Sequence, residues 1–481
     1  MSTGLFSIAR GALLTHQTSL QTISQNIANA ETPGYSRQEA QLVANTPVQM
    51  PFGNIGTGVH VETIIRKRNL LLDENYREAA SLAGEANVKQ GIMSHVESIF
   101  GEPTDAGMTS ALDQFWSAWS DLSAAPTSGA AKAVVQQRGR QVAQLLNTYD
   151  TQLTQTRSAT IESMASVVGE INTYAQQVAA LNGQILTTES NGQPANDLRD
   201  QRDLLADKLA TLAGGRVIQQ NNGSTSILIG NSTLVDGTTI SPLSIRFEVQ
   251  TPPPAVTPGD IPVRIQLGNS PDRLAPLGGE LKALVDVVNT EIPTLRARLD
   301  GLASALVSSV NAVHTTGFVF NGTTIPGTAA GNFFDAGTVL NPVRASTITL
   351  DSAIANDASL IAVSGDINAP SDNTVGIAMS ALRTKNDSVT YTTGGSTETA
   401  SLLGFFRNTV TSLGLKVSNA QDSTSMYETL SAQINARRQS VSGVSVDEEL
   451  VNLMRVQQSY TAATKLIQTA DEMLQTLLQM V

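Results

Sequence analysis

The 481 residues exceed one typical domain, and an apolar content of 41% can fill more than one packed core, which excludes a wholly disordered chain. A formal net charge of −12, from 42 acids and 30 bases, repels phosphate backbones and anionic lipid, so neither nucleic acid nor a membrane surface is expected as a partner. The absence of cysteine excludes disulfides, thiolate catalysis and thiolate metal sites.

Charged residues make up only 15% of the chain, below the average of about 25%, and Ser, Thr, Gln and Asn take their place. The N-terminus has no basic n-region before an apolar run, so no cleaved secretory signal is expected. No stretch approaches the ~20 apolar residues of a membrane helix.

Residues 5–30 place Phe6, Leu13, Leu20 and Ile27 at one heptad position and Ala9, His16, Ile23 and Ala30 at another, which predicts a helix with a narrow two-position seam. Arg10 is the sole formal charge between Leu5 and Ala30. Burying uncharged polar groups needs only hydrogen-bond partners, whereas each buried ion adds several kcal/mol of desolvation, so this face suits a packed lattice. A plain amphipathic helix of one monomeric bundle fits the same periodicity. The small gain from such a narrow seam, set against ordering costs, leads us to expect poorly ordered ends in the free monomer.

Long helices are expected over 66–100 and 130–212, and a helical pair over 278–313 around Pro293. Residues 214–276 carry short β-rich runs, Ser226 to Ile229, Ser244 to Val249 and Val263 to Leu267, between Gly, Asn and Pro, which predicts a small strand-rich subdomain. Residues 318–400 read as loops and short strands with one helix near Val375 to Lys385. A helix over Thr424 to Ser440 precedes Gly443. In the last helix Leu453, Tyr460, Ile467, Leu474 and Val481 recur every seven residues, interleaved with Val456, Ala463, Ala470 and Leu477. Ser445 and Glu448 have capping-box spacing at its start, and Asp447, Glu448 and Glu449 sit at the positive end of its dipole.

The run Ser24-Gln25-Asn26-Ile27-Ala28-Asn29-Ala30-Glu31-Thr32-Pro33-Gly34-Tyr35-Ser36-Arg37-Gln38 ends a seam helix in an Asn-rich turn: Pro33 cannot continue it and Gly34 relaxes the backbone. It resembles the N-terminal signature of flagellar axial proteins, and its Tyr-Ser-Arg-Gln ending resembles the family of the first hook-associated protein. Phe115 to Pro126, Asn196 to Leu205, Gly278 to Leu284, Asn332-Phe333-Phe334 and Ser440 to Met480 resemble the same family in chain order. The resemblance implies a terminal coiled coil made of both chain ends beside a helical outer domain. It further implies self-assembly into a ring-like helical layer between the hook subunit and a second junction protein on the filament side. Export through the flagellar type III apparatus, with a chaperone on the C-terminal helix until then, is implied as well.

Other motifs read as structure. Gly53, Gly56 and Gly58 lack the Lys-Ser/Thr and the strand-to-helix setting of a phosphate loop. His16, His60, His95 and His314 have no metal-ligand spacing. Gly443-Val444-Ser445-Val446-Asp447 lacks the second glycine of a nucleophile elbow, so Ser445 reads as a cap. Trp116 and Trp119 form a core stripe with Phe115. Asp197, Asp200 and Asp203 alternate with Arg199 and Arg202 as a solvated helix face with local ion pairs.

The expected fold is mainly α with a β-rich subdomain, elongated, its N- and C-terminal helices paired in a coiled coil. The expected units are 1–45 with 440–481 as assembly domain, 46–213 and 277–439 as the two parts of a helical outer domain, with 318–400 loop-rich, and 214–276 as the strand-rich subdomain. The expected role is mechanical, that of an extracellular structural subunit without catalytic site, cofactor or metal. The seam residues Leu13, Leu20, Ile23 and Ile27 are expected against Leu453, Tyr460, Ile467 and Leu474, with Asn26, Ile27, Ala28, Asn29, Pro33, Gly34 and Tyr35 as the motif. Another axial subunit, from hook or distal rod, is the alternative; a hydrolase within 214–400 and a surface adhesin find no supporting constellation.

Overall fold

The computed structural model describes residues 2–479 except Phe52, 249–259, 269–273, 275–277, 321–323, 339–340, Asp387 and 394–395. The predicted strand end at Val249 and the last seam position, Val481, lie outside the described residues.

The first helix, α1 (Ser2–Ala28), is followed by a β-ribbon of β1 (Gln38–Ala44), β2 (Val48–Met50), β3 (Gly53–Ile55) and β4 (Val59–Arg66). β1 pairs antiparallel with β4, with a register shift at Gln41/Leu42, and β2 pairs with β3 at the tip. The boundary expected at residue 45 therefore falls inside a paired ribbon.

Next come α2 (Leu70–Phe100), α3 (Met108–Ala124), α4 (Gly129–Glu189) and α5 (Asn196–Ala213). The single helix expected over 130–212 is two, because Gly192, at φ 80°, and Pro194 break it. At 61 residues α4 spans roughly 90 Å. Its first half, Val135 to Leu153, packs into one core with α3 and the aromatic cluster of Phe115, Trp116, Trp119, Phe333 and Phe334. Its second half, Met164 to Ile185, packs into another with α5 and the strands that follow.

Those strands are β5 (Arg216–Gln219), β6 (Thr225–Ile229), β7 (Ser232–Asp236) and β8 (Thr239–Ile240), which form one antiparallel sheet in sequence order, and the hairpin of β9 (Leu243–Phe247) with β10 (Val263–Leu267). Their inward residues, Ile227, Ile229, Val235, Val263 and Ile265, bury against α4 and α5, so the strand-rich part shares a core with the helices. Between the two cores Arg296 bridges Asp150 (2.9 Å) and Asp260 (2.5 Å), and Arg157 donates to the Val288 carbonyl.

The pair expected around Pro293 is α6 (Gly279–Asp286), a π turn over Val287–Glu291, and α7 (Ile292–His314), with Pro293, which lacks an N–H, directly after the π turn. Two short strands, β11 (Phe318–Val319) and β12 (Thr328–Ala329), then α8 (Ser352–Asn356) and α9 (Thr374–Ala381), lead to the hairpin of β13 (Val389–Thr393) and β14 (Ser396–Ala400). The helix expected from Thr424 begins 22 residues earlier, as α10 (Leu402–Ser442), and α11 (Val446–Gln479) closes the chain. α10 runs antiparallel to α2: Phe406 meets Phe100 at one end, and Arg438 stacks on Tyr76, 3.9 Å from the ring centre, at the other.

Candidate functional site at the joint of the terminal helices and the body

α1 and α11 pack against each other in opposite directions, so the end of α1 meets the start of α11. In α11 the side that turns inward is Glu449, Val456, Tyr460, Ala463, Ile467, Ala470 and Leu474, with Ala463 and Ala470 buried at 3% exposure. Leu453, Tyr460, Ile467 and Leu474 are half-buried, whereas Val451, Met454, Leu466 and Met473 stay more than half exposed. In α1, Leu13, Leu20 and Ile27 are half-buried and Ile23 is buried.

The buried set of α1 also includes the seam residue Ala9 and, beyond it, Thr15, Thr22 and Asn26, which the apolar periodicity does not select. The threonines are hidden without penalty because each hydroxyl bonds its own helix: Thr15 Oγ1 donates to the Gly11 carbonyl (2.8 Å) and Thr22 Oγ1 to that of Thr18 (3.0 Å).

Asn26 is the centre of the motif and is 1% exposed. Its Nδ2 donates to the Gln38 carbonyl (2.9 Å) and to Glu449 Oε2 (3.0 Å), and its Oδ1 accepts from the Gln38 N–H (3.0 Å) and the Tyr35 hydroxyl (2.9 Å). All four bonding sites of the carboxamide are filled, by the Tyr35–Gln38 stretch and by Glu449 of α11. Burial, then the carboxylates of Asp197, Asp200 and Glu449, push the Tyr35 phenol far above its ordinary value, so it remains a donor. Of the other motif residues, Ile27 and Asn29 are half-buried, and Ala28, Pro33 and Gly34 are exposed. Asn29 Nδ2 donates to the Gln25 carbonyl (3.0 Å). Gly34, at φ 82°, passes so close to Leu204 that a Cβ there would lie 3.1 Å from the Leu204 Cβ.

Glu449 is 2% exposed and takes Arg37 Nε at 2.8 Å, so this member of the acidic triplet is an inter-segment contact rather than a dipole residue alone. Glu448 stays exposed, 3.5 Å from Arg37, and its N–H lies 3.5 Å from Ser445 Oγ, a loose cap. The Arg37 N–H also donates to the Ser442 carbonyl (2.9 Å).

Below this node lies a second one on α5, and it corrects the reading of a solvated face for Asp200 and Asp203, whereas Asp197 is exposed as expected. Asp200 and Asp203 are 4% and 6% exposed. Asp200 accepts from the Ser36 N–H (2.9 Å), the Ser36 hydroxyl (2.7 Å) and Arg66 (2.7 Å). Asp203 takes Arg66 and Arg68, both at 3.0 Å. Arg68 forks onto Asp73 at 3.1 and 2.8 Å. One turn along α5, Asp207 joins Arg77 of α2 (2.7 Å) to Arg438 of α10 (2.6 Å). Asp197 accepts from Gln38 Nε2 (2.8 Å), and Asn196 Nδ2 donates to the Ile64 carbonyl (2.8 Å). Arg202, expected to pair locally on the surface, is buried and donates to Asn182 and to the Gly223 carbonyl.

Electrostatics set the two central carboxyls apart. Burial opposes ionisation of Asp203, but Arg68, Arg66, Arg77 and Arg202 together outweigh it and hold the carboxyl below the usual range. Burial of Asp200 wins over the pull of Arg66 and Ser36, and its carboxyl is raised. The two nodes thus fasten the ribbon, α2 and α10 to one face of α5, with α11 held in turn through Asn26 and Arg37. Together they form a mechanical joint of paired charges. Among the described residues no cluster of His, Cys, Asp and Glu could hold a metal ion, and no helix is long and apolar enough to cross a membrane.

Comparison with known proteins locates this architecture. Residues 93–334 match the model of the flagellar hook-associated protein FlgK helical domain, residues 6–35 that of the flagella basal body rod protein, and residues 437–480 that of the flagellar basal body rod FlgEFG protein C-terminal region. Flagellar hook-associated protein 1 of Bacillus subtilis is 30% identical over 499 aligned residues, covering 97% of this chain and 96% of the relative. That of Escherichia coli is 25% identical, covering 97% and 98%. Among solved structures, the flagellar hook junction protein FlgK from Burkholderia pseudomallei superposes with a TM-score of 0.64 at 16% identity, over 76% of this chain and all of that one.

Proposed function

The chain belongs to the flagellar hook-associated protein 1 family, and from that premise we propose how it works as a structural subunit of the bacterial flagellum at the junction between hook and filament. The observation that carries the mechanical reading is the joint itself: two chain ends, 423 positions apart at Asn26 and Glu449, held together and then clamped by buried ion pairs to the body.

In this reading the paired α1 and α11 build the axial tube, and the seam residues Leu13, Leu20, Ile23 and Ile27 with Leu453, Tyr460, Ile467 and Leu474 hold the pair together. The remaining polar and apolar faces of the helices meet neighbouring copies, the hook subunit on one side and a second junction protein on the other. The α2–α10 pair and the body it belongs to stand outside that tube. Matches of both ends to rod-type models support a shared way of packing in axial proteins, and the match of residues 93–334 sets this chain apart from hook and distal rod subunits.

The chain acts without catalysis: the buried charges of the joint are engaged in pairs between segments. It reaches the cell exterior unfolded, through the flagellar type III apparatus. A chaperone covering α11 before export fits the exposure there of Leu450, Val451, Met454, Leu466 and Met473. Electron microscopy of cells lacking the gene tests the junction role. The expected result is hooks without filaments, with filament subunits lost to the medium; normal filaments overturn it.

A further inference from the structure

We infer that the tip of the β1–β4 ribbon is an interaction surface whose occupant is the outward face of α1 in a second copy of this chain. The inference rests on the reading of the chain as a self-assembling axial subunit and specifies one contact of that assembly.

The ribbon is well built yet uncovered. The ribbon is fixed on α1 as far out as Val59, whose carbonyl lies 3.2 Å from Thr15 Oγ1. Its two arms are tied by Asn45, whose N–H donates to the Gly58 carbonyl (2.9 Å) and whose Nδ2 donates to that of Thr57 (3.2 Å). Beyond that point Val48, Met50 and Ile55 are 42–49% exposed, with Val48 and Ile55 directly opposite each other across the strands, and Leu42 just before it is 46% exposed. A lone two-stranded ribbon is marginal in water, and soluble proteins guard such open edges with charged side chains. Here there is no Asp, Glu, Lys or Arg from Ala40 to Val61. Such a ribbon is built for cover.

Charge selects the covering surface. The outward side of α11 exposes Asp447, Glu448, Arg455, Lys465, Asp471 and Glu472, whose hydration an apolar ribbon would strip without offering a partner. The outward side of α1 exposes only Arg10 as a formal charge and presents Leu5 and Leu14, 45% and 55% exposed, among Ser and Gln. Neutral then meets neutral. The chain's own ribbon already rests on α1, and still leaves Leu5 and Leu14 open. Two different patches of one copy are thus both unfilled, a head-to-tail arrangement that propagates around a ring or along a helix.

The test uses flagella isolated from cells that express a mixture of Val48→Cys and Leu14→Cys chains, treated with a short bis-maleimide; the parent chain has no cysteine to react. A covalent dimer joining the two variants, found only in the mixture, is the expected result. No dimer in assembled flagella, or a product joining Val48→Cys to a chain of different mass, overturns the inference. A second variant, Val48→Asp/Ile55→Asp, keeps the circular dichroism and melting temperature of the purified chain and loses filaments. Unchanged swimming with that variant removes the ribbon contact but leaves the junction role standing, since that role is judged by the gene deletion.

Discussion

The side-chain amide of Asn26 and the carboxylate of Glu449 meet at 3.0 Å, and both groups are almost wholly buried. Replacing Asn26 by Asp changes one atom's chemistry without changing size. It removes the donor to Glu449 and to the Gln38 carbonyl and sets two carboxylates face to face.

For Asn26→Asp we expect a loss of about 3–5 kcal/mol at the joint, the usual cost of leaving a buried charge without its partner. Amide exchange is the measurement. Protection falls in α1 and the first turns of α11 and is kept in α2 and α10; equal loss everywhere refutes a joint that opens separately from the body.

The carboxyls of α5 separate by pH. Asp203 has a depressed folded value, so its stabilising effect is complete above the ordinary carboxylate range and disappears as pH falls through the folded value. Asp200 is raised, so its ionisation works against folding near neutrality, and that burden is relieved on acidification. Asp203→Asn should therefore destabilise more than Asp200→Asn at pH 7, by several kcal/mol as for other broken buried pairs, with the gap closing below about pH 4. Urea titrations of both variants at pH 7 and pH 3.5 decide it, and a gap independent of pH counts against the assignment.

His314 is fully buried against Trp119 and Phe333. Its Nδ1 faces the Gly331 carbonyl (2.7 Å) and its Nε2 accepts from the Ala362 N–H (3.0 Å), which requires the neutral Nδ1–H form. Burial lowers its pKa from 6.5 to about 4, so the unfolded chain binds the proton first and stability falls between pH 6.5 and 4. That interval is worth about 3 kcal/mol at 1.36 kcal/mol per pH unit. Nuclear magnetic resonance titration should find the His314 ring neutral at pH 5; a midpoint near 6.5 disproves the buried neutral form.

The seam makes a separate prediction. Ile467→Asp places a charge on the half-buried inward side of α11, so the α1–α11 pair should loosen while the body folds as before. The purified variant should keep its melting transition and fail to support filaments. Normal filaments in cells carrying it contradict the role given to the seam. In the parent monomer, residues 5–28 and 453–474 should exchange faster than α2, because their inward sides remain half open until neighbours close them.

The heptads of α11 were readable because a two-helix seam leaves a strict record in one short stretch of sequence. Asp200 and Asp203 were not, since acids three apart beside arginines look alike on a solvated helix and on a buried one. Their partners, Arg66, Arg68 and Ser36, lie more than 130 residues away, beyond any local pattern. Asn26 stood out only through the resemblance, and Thr15 and Thr22 only through the structure, because self-bonded threonines hide in a core without apolar periodicity. The first half of α10, ahead of the expected start at Thr424, is evident only with Phe405 and Phe406 packed in the aromatic core. In β13, Val389 and Tyr391 turn inward between the exposed Thr390 and Thr392, an alternation too short to locate one strand within a stretch of loops and short strands.

Arg66 and Arg68 belong to the chain as it leaves the terminal pair, and Arg438 to the chain as it returns, yet all three end on α5. The two crossings therefore behave as springs mounted side by side. A twist or pull arriving through the terminal pair is divided between them, and neither can give way without the other already carrying the load. A structural subunit at a junction thereby passes load between its terminal pair and its body through a coupling with built-in redundancy.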